Sequence, residues 1–439
     1  MLHVGWRVVQ VSWCAIVMIV FVAFESARPR RSRSSRLAAV GRRVARSLER
    51  LGGGFVKLGQ MLSTRPDMIP REIAEGLEVL QERCRPMGSE AAIRQIEQAL
   101  GRRLDEVFSS FDEAPLAVGS VAQVHVATLG DGRVVAVKVR HPDVARRICA
   151  DVRLLLSVAR ALRALPGMKF VPVDDMIREW CDVLAAQVDL RTEAASIRRF
   201  RDAVLGENVV VPDVMAELSS ESVVTMEYVP GLAKGLGAGL STRERSAAAS
   251  LAIDTVYRLV FDHGLVHADL HPGNLIFVPG PKMVLLDFGF VSMLDEIERQ
   301  WFRDFFLAVA AGDSRVCARV LMESSPAKAT WFDERDFQQR VAGVVNEFSW
   351  MKARDFEVAK FASRVFDVQR VAGLAGSARF TMAISAFLVF EGVVKQLDGD
   401  VDFLALALER MERRGLPAFF SADRATAFVQ GVPPAARSA

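Results

Sequence analysis

The chain has 439 residues, of which 51% are hydrophobic and 25% are charged, and its formal net charge is +3. This composition is globular with a tilt towards membrane association, and the length allows one large core or two lobes. The five cysteines are scattered, odd in number and form no C-x-x-C pair, which argues against a disulfide framework or a zinc site and for a reducing compartment.

Positive charge is concentrated near the N-terminus. Residues 28–50 contain nine arginines and one glutamate, a local charge of +8, so that subtraction from +3 leaves −5 on the rest of the sequence. A nucleic-acid-binding domain would instead spread its basic surface along a fold. The charge pattern therefore predicts no nucleic acid partner.

An apolar run over residues 8–24 comes directly before this basic strip. As a helix that rises about 1.5 Å per residue, it would reach roughly 26 Å, just enough to cross a bilayer core. The arginines that follow favour a cytoplasmic position for the rest of the chain, and the pattern of a cleavable signal peptide is poor. We therefore expect a single N-terminal anchor in the cell membrane; a peripheral amphipathic start and a misplaced start codon remain alternatives.

The following residues predict a helical region and then a β-rich region. Helical periodicity is interrupted at the glycines 52–54 and again at 65–67. Further on, Asp131-Gly132 between two β-branched runs is a good hairpin signal. The elements predicted in this part are helices at 37–62 and 71–100 and strands at 121–128 and 134–139.

The second half predicts mainly helices. Helical patterns cover 143–165 and 174–204, and a strand covers 222–229. After Gly239 the chain is expected to be mainly helical except for one hairpin. The apolar stretch 378–394 is interrupted by Ser385 and Glu391, which predicts a buried helix. The result is a small β-rich lobe, a hinge near 227–231 and a larger helical lobe, a plan that in nucleotide kinases holds ATP between the lobes.

Two motifs have the spacing of a phosphoryl-transfer site: H-A-D-L-H-P-G-N at 267–274 and D-F-G at 287–289. Asp269 can orient or deprotonate a nucleophile, while Asn274 and Asp287 offer hard oxygen ligands for the Mg²⁺ of ATP. Protein kinases carry related signatures in the same order. Short strands at 275–278 and 283–286 predict a hairpin that returns Asp287 to Asn274. The alternative is a polar turn between two strands.

Lys138 lies in a strand that is otherwise apolar, so it must point to solvent or be paired. The functional interpretation is that it binds the α- and β-phosphates and is held by a glutamate on a helix, for which Glu193 is the best candidate. The loop before this strand occupies the place of a phosphate-covering loop but has only Gly119 in its turn. The residues expected to contact nucleotide in this lobe are Ala117, Gly119, Ser120, Lys138 and the hinge residue Glu227.

Taken together, the motifs resemble the UbiB/AarF-type atypical kinase family, the bacterial relatives of the mitochondrial coenzyme Q kinases. The resemblance covers roughly residues 40–410, and its Lys-x-Gly-Gln element at 57–60 is specific to this family. The matching positions are 57–60, the loop 117–120, the segment 123–125, Lys138, Asp189, Glu193, 267–274 and 287–289.

The resemblance implies an α+β, bilobal, protein-kinase-like fold with a helical N-terminal extension and a helix-rich C-lobe. In the family, the helix with the Lys-x-Gly-Gln element lies over the active site, where a peptide substrate would bind. Lys57 and Gln60, three residues apart on one helix face, would then point into the cleft and contact the cofactor; an ordinary amphipathic helix is the alternative. The helix expected at 299–311 leaves little chain for an activation segment, and no A-P-E follows.

Two positions depart from the family pattern. Gln187 stands where the family's Glu-x-Asp element has its glutamate, and a neutral amide cannot be the same partner for Lys57 or for a metal. The loop reads Ala117-Val118-Gly119-Ser120, with valine and glycine in place of alanines, which predicts a shift in nucleotide preference.

The expected function is that of a membrane-associated, Mg²⁺- and ATP-dependent atypical kinase or ATPase that supports isoprenoid quinone biosynthesis of the ubiquinone type or lipid homeostasis. The lipid connection rests on the resemblance and on the membrane anchor, whereas the ATP site rests on the residues. Expected partners are ATP, a membrane lipid or isoprenoid quinone precursor, and membrane-bound biosynthetic enzymes. A small-molecule phosphotransferase and a nucleotide-gated, non-catalytic scaffold are the alternatives.

The chain is accordingly divided into five predicted segments. They are the anchor with its basic strip (1–36), the helical extension (37–110), the kinase-like N-lobe (111–230), the kinase-like C-lobe (231–415) and the C-terminal tail (416–439).

Overall fold

The fold is taken from a computed structural model, which forms two compact units. The first comprises the residues up to Arg198 together with Pro212–Tyr228, and the second comprises Arg199–Val211 and the residues from Val229 on. The structure describes residues 32–51, 54–63, 69–77, 86–142, 187–204, 208–232, 239–278, 282–348 and 357–401, together with 10, 80, 144–146, 148, 151, 236–237 and 406. The predicted anchor at 8–24 (apart from Gln10), the tail at 416–439 and most of the helices predicted at 143–165 and 174–204 lie outside these residues.

Helices and short strands alternate along the described chain, which confirms the α+β class. The helices are α1 (Arg33–Leu51), α2 (Gly54–Ser63), α3 (Arg71–Leu77), α4 (Ser89–Leu100), α5 (Leu104–Val107), α6 (Leu190–Ala203), α7 (Thr242–Phe261), α8 (Glu296–Ala311), α9 (Ser314–Glu323), α10 (Glu334–Phe348), α11 (Val358–Ala372) and α12 (Ala378–Leu397). The strands are β1 (Phe108–Phe111), β2 (Ala117–Val118), β3 (Ala122–Leu129), β4 (Val134–Arg140), β5 (Val209–Val210), β6 (Val223–Glu227), β7 (Leu265–His267), β8 (Leu275–Val278), β9 (Lys282–Leu285), β10 (Val291–Met293), β11 (Ala327–Lys328) and β12 (Leu374–Ala375).

An antiparallel sheet forms the centre of the first unit, with strand order β1-β3-β4-β6 and with β2 paired to β3. The predicted hairpin is confirmed as β3 and β4, and its turn has Gly132 at φ 86°, a left-handed conformation that glycine adopts without a Cβ penalty. Val135, Val137 and Val139 of β4 are buried in one cluster with Ile96 of α4. Apolar burial therefore fixes the register of the strand that carries Lys138.

The helices α1, α2 and α3 pack into a second cluster in the same unit, around Leu48, Phe55 and Leu77. Two glycines set the approach of α1 and α3. A Cβ on Gly76 would lie 2.7 Å from the carbonyl carbon of Gly41 and 2.8 Å from the nitrogen of Arg42. The two backbones are thus in contact at this crossing, which a larger residue would force apart.

The second unit contains more strands than the sequence analysis predicted. The hairpin at 275–278 is confirmed as β8 and β9, and β5 adds to it in parallel. In addition, β7 pairs with β10 and β11 pairs with β12, so this mainly helical region has two short strand pairs besides the predicted hairpin. These strands have two or three residues each, too few for an alternating pattern, and tertiary packing determines them.

The predicted buried helix at 378–394 is confirmed as α12. Among the described helices it alone has the length and apolar character to cross a membrane, but 72% of its most apolar window is buried within the protein. The carboxylate of Glu391 accepts the N–H groups of Val358 and Ala359 at the start of α11 and the ammonium of Lys395. These contacts, together with the ring contacts of Phe387 with Tyr257, are those of a core helix.

Candidate functional site

In the second unit, the loop after β7 positions Asp269 and Asn274. The side-chain Nδ2 of Asn274 donates to the carbonyl oxygen of Asp269 at 2.9 Å and to its Oδ2 at 3.3 Å. Asn274 is 6% exposed, whereas the side chain of Asp269 is 47% exposed. Because Nδ2 is committed to Asp269, Oδ1 of Asn274 is the atom available to a cation.

The β8–β9 hairpin returns the chain so that Asp287 follows close to Asn274, as predicted. The N–H of Leu286 donates to the carbonyl of Asn274 at 2.9 Å, and Leu275 lies opposite Leu285 in the ladder. Asp287 has φ 51°, and among the described residues it is the one non-glycine with a positive φ. Left-handed backbone at a side chain that could bind a metal is a typical place for stored strain.

His267 joins these two segments. Its Nδ1 accepts the N–H of Asp269 at 3.3 Å, so its Nε2–H donates to the carbonyl of Leu286 at 3.1 Å. Burial lowers the pKa of His267, which keeps the ring neutral and this hydrogen-bond pattern intact. The ring also makes edge contacts with Phe288 and Phe200. His267 therefore holds the loop of Asp269 against the residue that precedes Asp287.

His271 belongs to the same loop, although the sequence analysis did not select it. Its Nδ1 accepts the N–H of Gly273 at 2.9 Å, and its Nε2 lies 3.8 Å from Asp269 Oδ2. The sequence feature that could have identified His271 is its position, two residues after Asp269 and directly before Pro-Gly.

In the first unit, Lys138 and Glu193 form the predicted ion pair. Lys138 Nζ lies 2.6 Å from Glu193 Oε1, and the side chains are 14% and 5% exposed. Glu193 is in the first turn of α6, a favourable position for an anion. Just before this helix, hydrogen bonding to the Arg191 guanidinium holds the pKa of the Asp189 carboxyl below its usual range.

The predicted phosphate loop is a tight turn between β2 and β3. The N–H of Gly119 donates to the carbonyl of Ala122 at 2.9 Å, and Nε2 of His141 donates to the carbonyl of Gly119 at 2.9 Å. Ala117 and Gly119 are exposed and Ser120 is half-buried. A Cβ on Gly119 would meet the carbonyl oxygen of Ala122 at 3.3 Å, a tight contact.

The other residues predicted to contact the cofactor are Glu227, Lys57 and Gln60. Glu227, at the end of β6, receives the N–H of Asp213 on its Oε2 at 3.4 Å. Lys57 and Gln60 lie on α2, but their side chains are outside what the structure describes. Gln187, in place of the family glutamate, has a buried Oε1 without a hydrogen-bond partner in the described part of the chain.

Lys138 and Glu193 thus lie together in the first unit, and Asp269, Asn274 and Asp287 lie in the second. The donor set of the second unit, an amide oxygen and carboxylates, suits Mg²⁺ that also binds phosphate oxygens. The partly buried ammonium of Lys138 in the first unit suits a phosphate anion. The residues present therefore fit Mg²⁺ and ATP.

Comparisons with known proteins show which family this chain resembles. The family model for the ABC1 atypical kinase-like domain matches residues 79–321. The probable protein kinase UbiB of Xylella fastidiosa (strain 9a5c) is 32% identical over 390 residues, which cover 85% of this chain and 69% of the relative. The probable protein kinase UbiB of Xanthomonas oryzae pv. oryzae (strain MAFF 311018) is 33% identical over 408 residues, covering 88% and 72%. A solved complex of Rv3197 with erythromycin from Mycobacterium tuberculosis has a TM-score of 0.54 and 26% identity, covering 82% of this chain and 92% of that chain.

Proposed function

The chain belongs to the ABC1 atypical kinase-like family, within its UbiB group, and on this premise we propose that it is a membrane-associated atypical kinase or ATPase that uses Mg²⁺ and ATP. Its proposed role is to support isoprenoid quinone biosynthesis of the ubiquinone type or lipid homeostasis. In this proposal Lys138 of the first unit binds phosphate, and Asn274 and Asp287 of the second unit bind the metal.

The observation that carries the proposal is the ion pair of the partly buried Lys138 with the buried Glu193. Desolvation of two charges costs several kcal/mol per ion, so such a pair adds little to stability compared with apolar residues. Lys138 nevertheless lies between Val137 and Val139, which are both 0% exposed. A lysine kept charged at this position is best explained by a phosphate ligand.

Asp269 is the proposed catalytic carboxylate. Asn274 holds its main-chain oxygen and its Oδ2, and His267 holds its N–H, so both the backbone and the side chain of Asp269 are oriented. Mg²⁺, when bound, would neutralise charge that develops on the phosphates. Asp269 would orient the nucleophile and accept its proton.

The phosphate acceptor is proposed to be a non-peptide molecule or water. Only residues 290–295 lie between Gly289 and α8, which leaves little chain for a peptide-docking segment. The printed name UbiB of the relatives and the apolar run at 8–24 support a lipid-linked role at a membrane. A small-molecule phosphotransferase remains a second candidate, because the half-site around Asp269 would serve a soluble alcohol equally well.

The test separates catalysis from scaffolding in the cell. The chromosomal gene is replaced by Asp269→Asn, by a deletion, or by the exposed control Asp400→Asn, and isoprenoid quinone is quantified. We expect quinone loss with Asp269→Asn and with the deletion, and wild-type content with Asp400→Asn. Wild-type quinone content with Asp269→Asn would favour the non-catalytic scaffold. Wild-type quinone content in the deletion would contradict a role in quinone biosynthesis.

A further inference from the structure

The imidazole of His271 has a defined tautomer. Because Nδ1 accepts the N–H of Gly273 at 2.9 Å, the proton of the neutral ring is on Nε2. Gly273 also allows the ring to lie at this place, since a Cβ there would come within 2.7 Å of His271 Cε1. The His-Pro-Gly turn therefore both orients the ring and assigns its proton.

The protonated Nε2 lies beside Asp269 without being bound to it. The distance of 3.8 Å to Asp269 Oδ2 is too long for a hydrogen bond, and Nε2 forms none with the other described residues. The side chains of His271 and Asp269 are 51% and 47% exposed, so both are accessible to a bound molecule. An oriented donor thus lies next to the proposed catalytic carboxylate.

We propose that His271 is a second catalytic side chain, whose Nε2–H donates a hydrogen bond to a non-bridging oxygen of the γ-phosphoryl group during its transfer. This inference rests on the proposed function, because it requires ATP beside Asp269. The nucleophile's oxygen forms a bond to the γ-phosphorus while the bond from that phosphorus to the β–γ bridging oxygen breaks, and ADP keeps the electron pair. Asp269 takes the nucleophile's proton, and His271 keeps its own.

The physical reason is that negative charge is spread over the equatorial oxygens in the transition state, where a donor held in advance needs no reorganisation. Loss of one donor of this kind lowers kcat about 100-fold or more. ADP lacks the γ-phosphoryl group, so its affinity is independent of His271. Binding of ADP with aluminium fluoride, which mimics the group in transfer, does depend on it.

The experiment uses the full chain and measures the dissociation constants of Mg-ADP with and without aluminium fluoride, together with ATP turnover. The variants are His271→Ala and His271→Gln, whose amide keeps an N–H donor, with the exposed His263→Ala as a matched control. In His271→Ala we expect unchanged Mg-ADP affinity, about tenfold or more weaker binding of the fluoride complex, and turnover reduced about 100-fold. His271→Gln should restore part of each loss, and His263→Ala should match wild type.

Three results would overturn the inference, and they can be told apart. If His271→Ala binds the fluoride complex as wild type does while Mg-ADP binding is intact, His271 has no such role and the proposed function stands. If His271→Ala weakens Mg-ADP and the fluoride complex by the same factor, it affects binding rather than catalysis. If wild type shows no Mg²⁺-dependent ADP binding, the proposed function fails and the inference fails with it.

Discussion

Nζ of Lys138 and Oε1 of Glu193 lie 2.6 Å apart, although 55 positions separate the two residues in the chain. Strand β4 carries the lysine and the first turn of α6 carries the glutamate, so the contact depends on the fold of the first unit. Because Glu193 is buried and Lys138 is partly buried, neither charge can be lost without consequence for the other.

Substitutions of Lys138 and Glu193 should affect the stability of the protein and its binding of Mg-ATP differently. Lys138→Met leaves the Glu193 carboxylate without its ammonium partner and should lower the free energy of unfolding by about 3–5 kcal/mol. The double variant Lys138→Met/Glu193→Leu should recover most of that loss, measured by urea denaturation, and still fail to bind Mg-ATP. Mg-ATP binding by the double variant would contradict a role for Lys138 in phosphate binding.

The glycine contact of α1 and α3 predicts a large effect from one methyl group. Gly76→Ala would place a Cβ 2.7 Å from backbone of α1 and should destabilise the protein by about 1–3 kcal/mol. The matched control is Gly343→Ala in α10, where a Cβ meets nothing within 4 Å and should stabilise by about 1 kcal/mol through helix propensity. Equal effects of the two variants in thermal unfolding would contradict a backbone contact between α1 and α3 at Gly76.

His267 predicts a loss of stability on the acid side of neutrality. Burial lowers the pKa of His267 from its ordinary value of 6.5, so the unfolded chain binds a proton there more readily than the folded chain does. Its contribution to stability is therefore full above about pH 6.5 and is lost as the pH falls from there through the lowered pKa. Urea denaturation between about pH 7.5 and pH 5 measures this. As the pH falls, the free energy of unfolding of His267→Gln should decrease less steeply than that of wild type. Parallel declines would mean that His267 is not the titrating group.

Membrane attachment should depend on the N-terminal run and not on α12. We expect a chain without residues 1–27 to be released by alkaline washing of membranes, while the full chain stays, because α12 is committed to the protein core. Retention of the truncated chain would assign the anchor to another segment. Release of the full chain by salt alone would favour the peripheral alternative.

Part of the site could be predicted because its signals are local. The β4 strand was visible from its β-branched residues and the Asp131-Gly132 turn, and Asp269, Asn274 and Asp287 from motif spacing. The pairing of Glu193 with Lys138 was one of two alternatives, since a lysine in an apolar strand either points to solvent or is paired. In these cases the residue pattern of a short stretch of sequence is enough to predict the strand, the turn or the motif.

The rest depends on tertiary packing. Strand β1 and the pairs β7–β10 and β11–β12 have two to four residues per strand and carry no periodic signal. Residue types alone do not reveal the left-handed backbone of Asp287 or the orientation of His271, whose ring accepts the N–H of Gly273. The replacement of the family glutamate by Gln187 was visible in the sequence, and its effect on Lys57 stays a prediction.

The central claim is that this chain binds Mg-ATP through Asp287 and Lys138, and thermal unfolding with and without Mg-ATP tests it most directly. At about 100 times the dissociation constant, the nucleotide should add about 2.7 kcal/mol to the stability of wild type. Asp287→Asn should lose most of this shift, whereas the exposed control Asp400→Asn should keep it. No Mg²⁺-dependent shift in wild type, or an undiminished shift in Asp287→Asn, would contradict the claim.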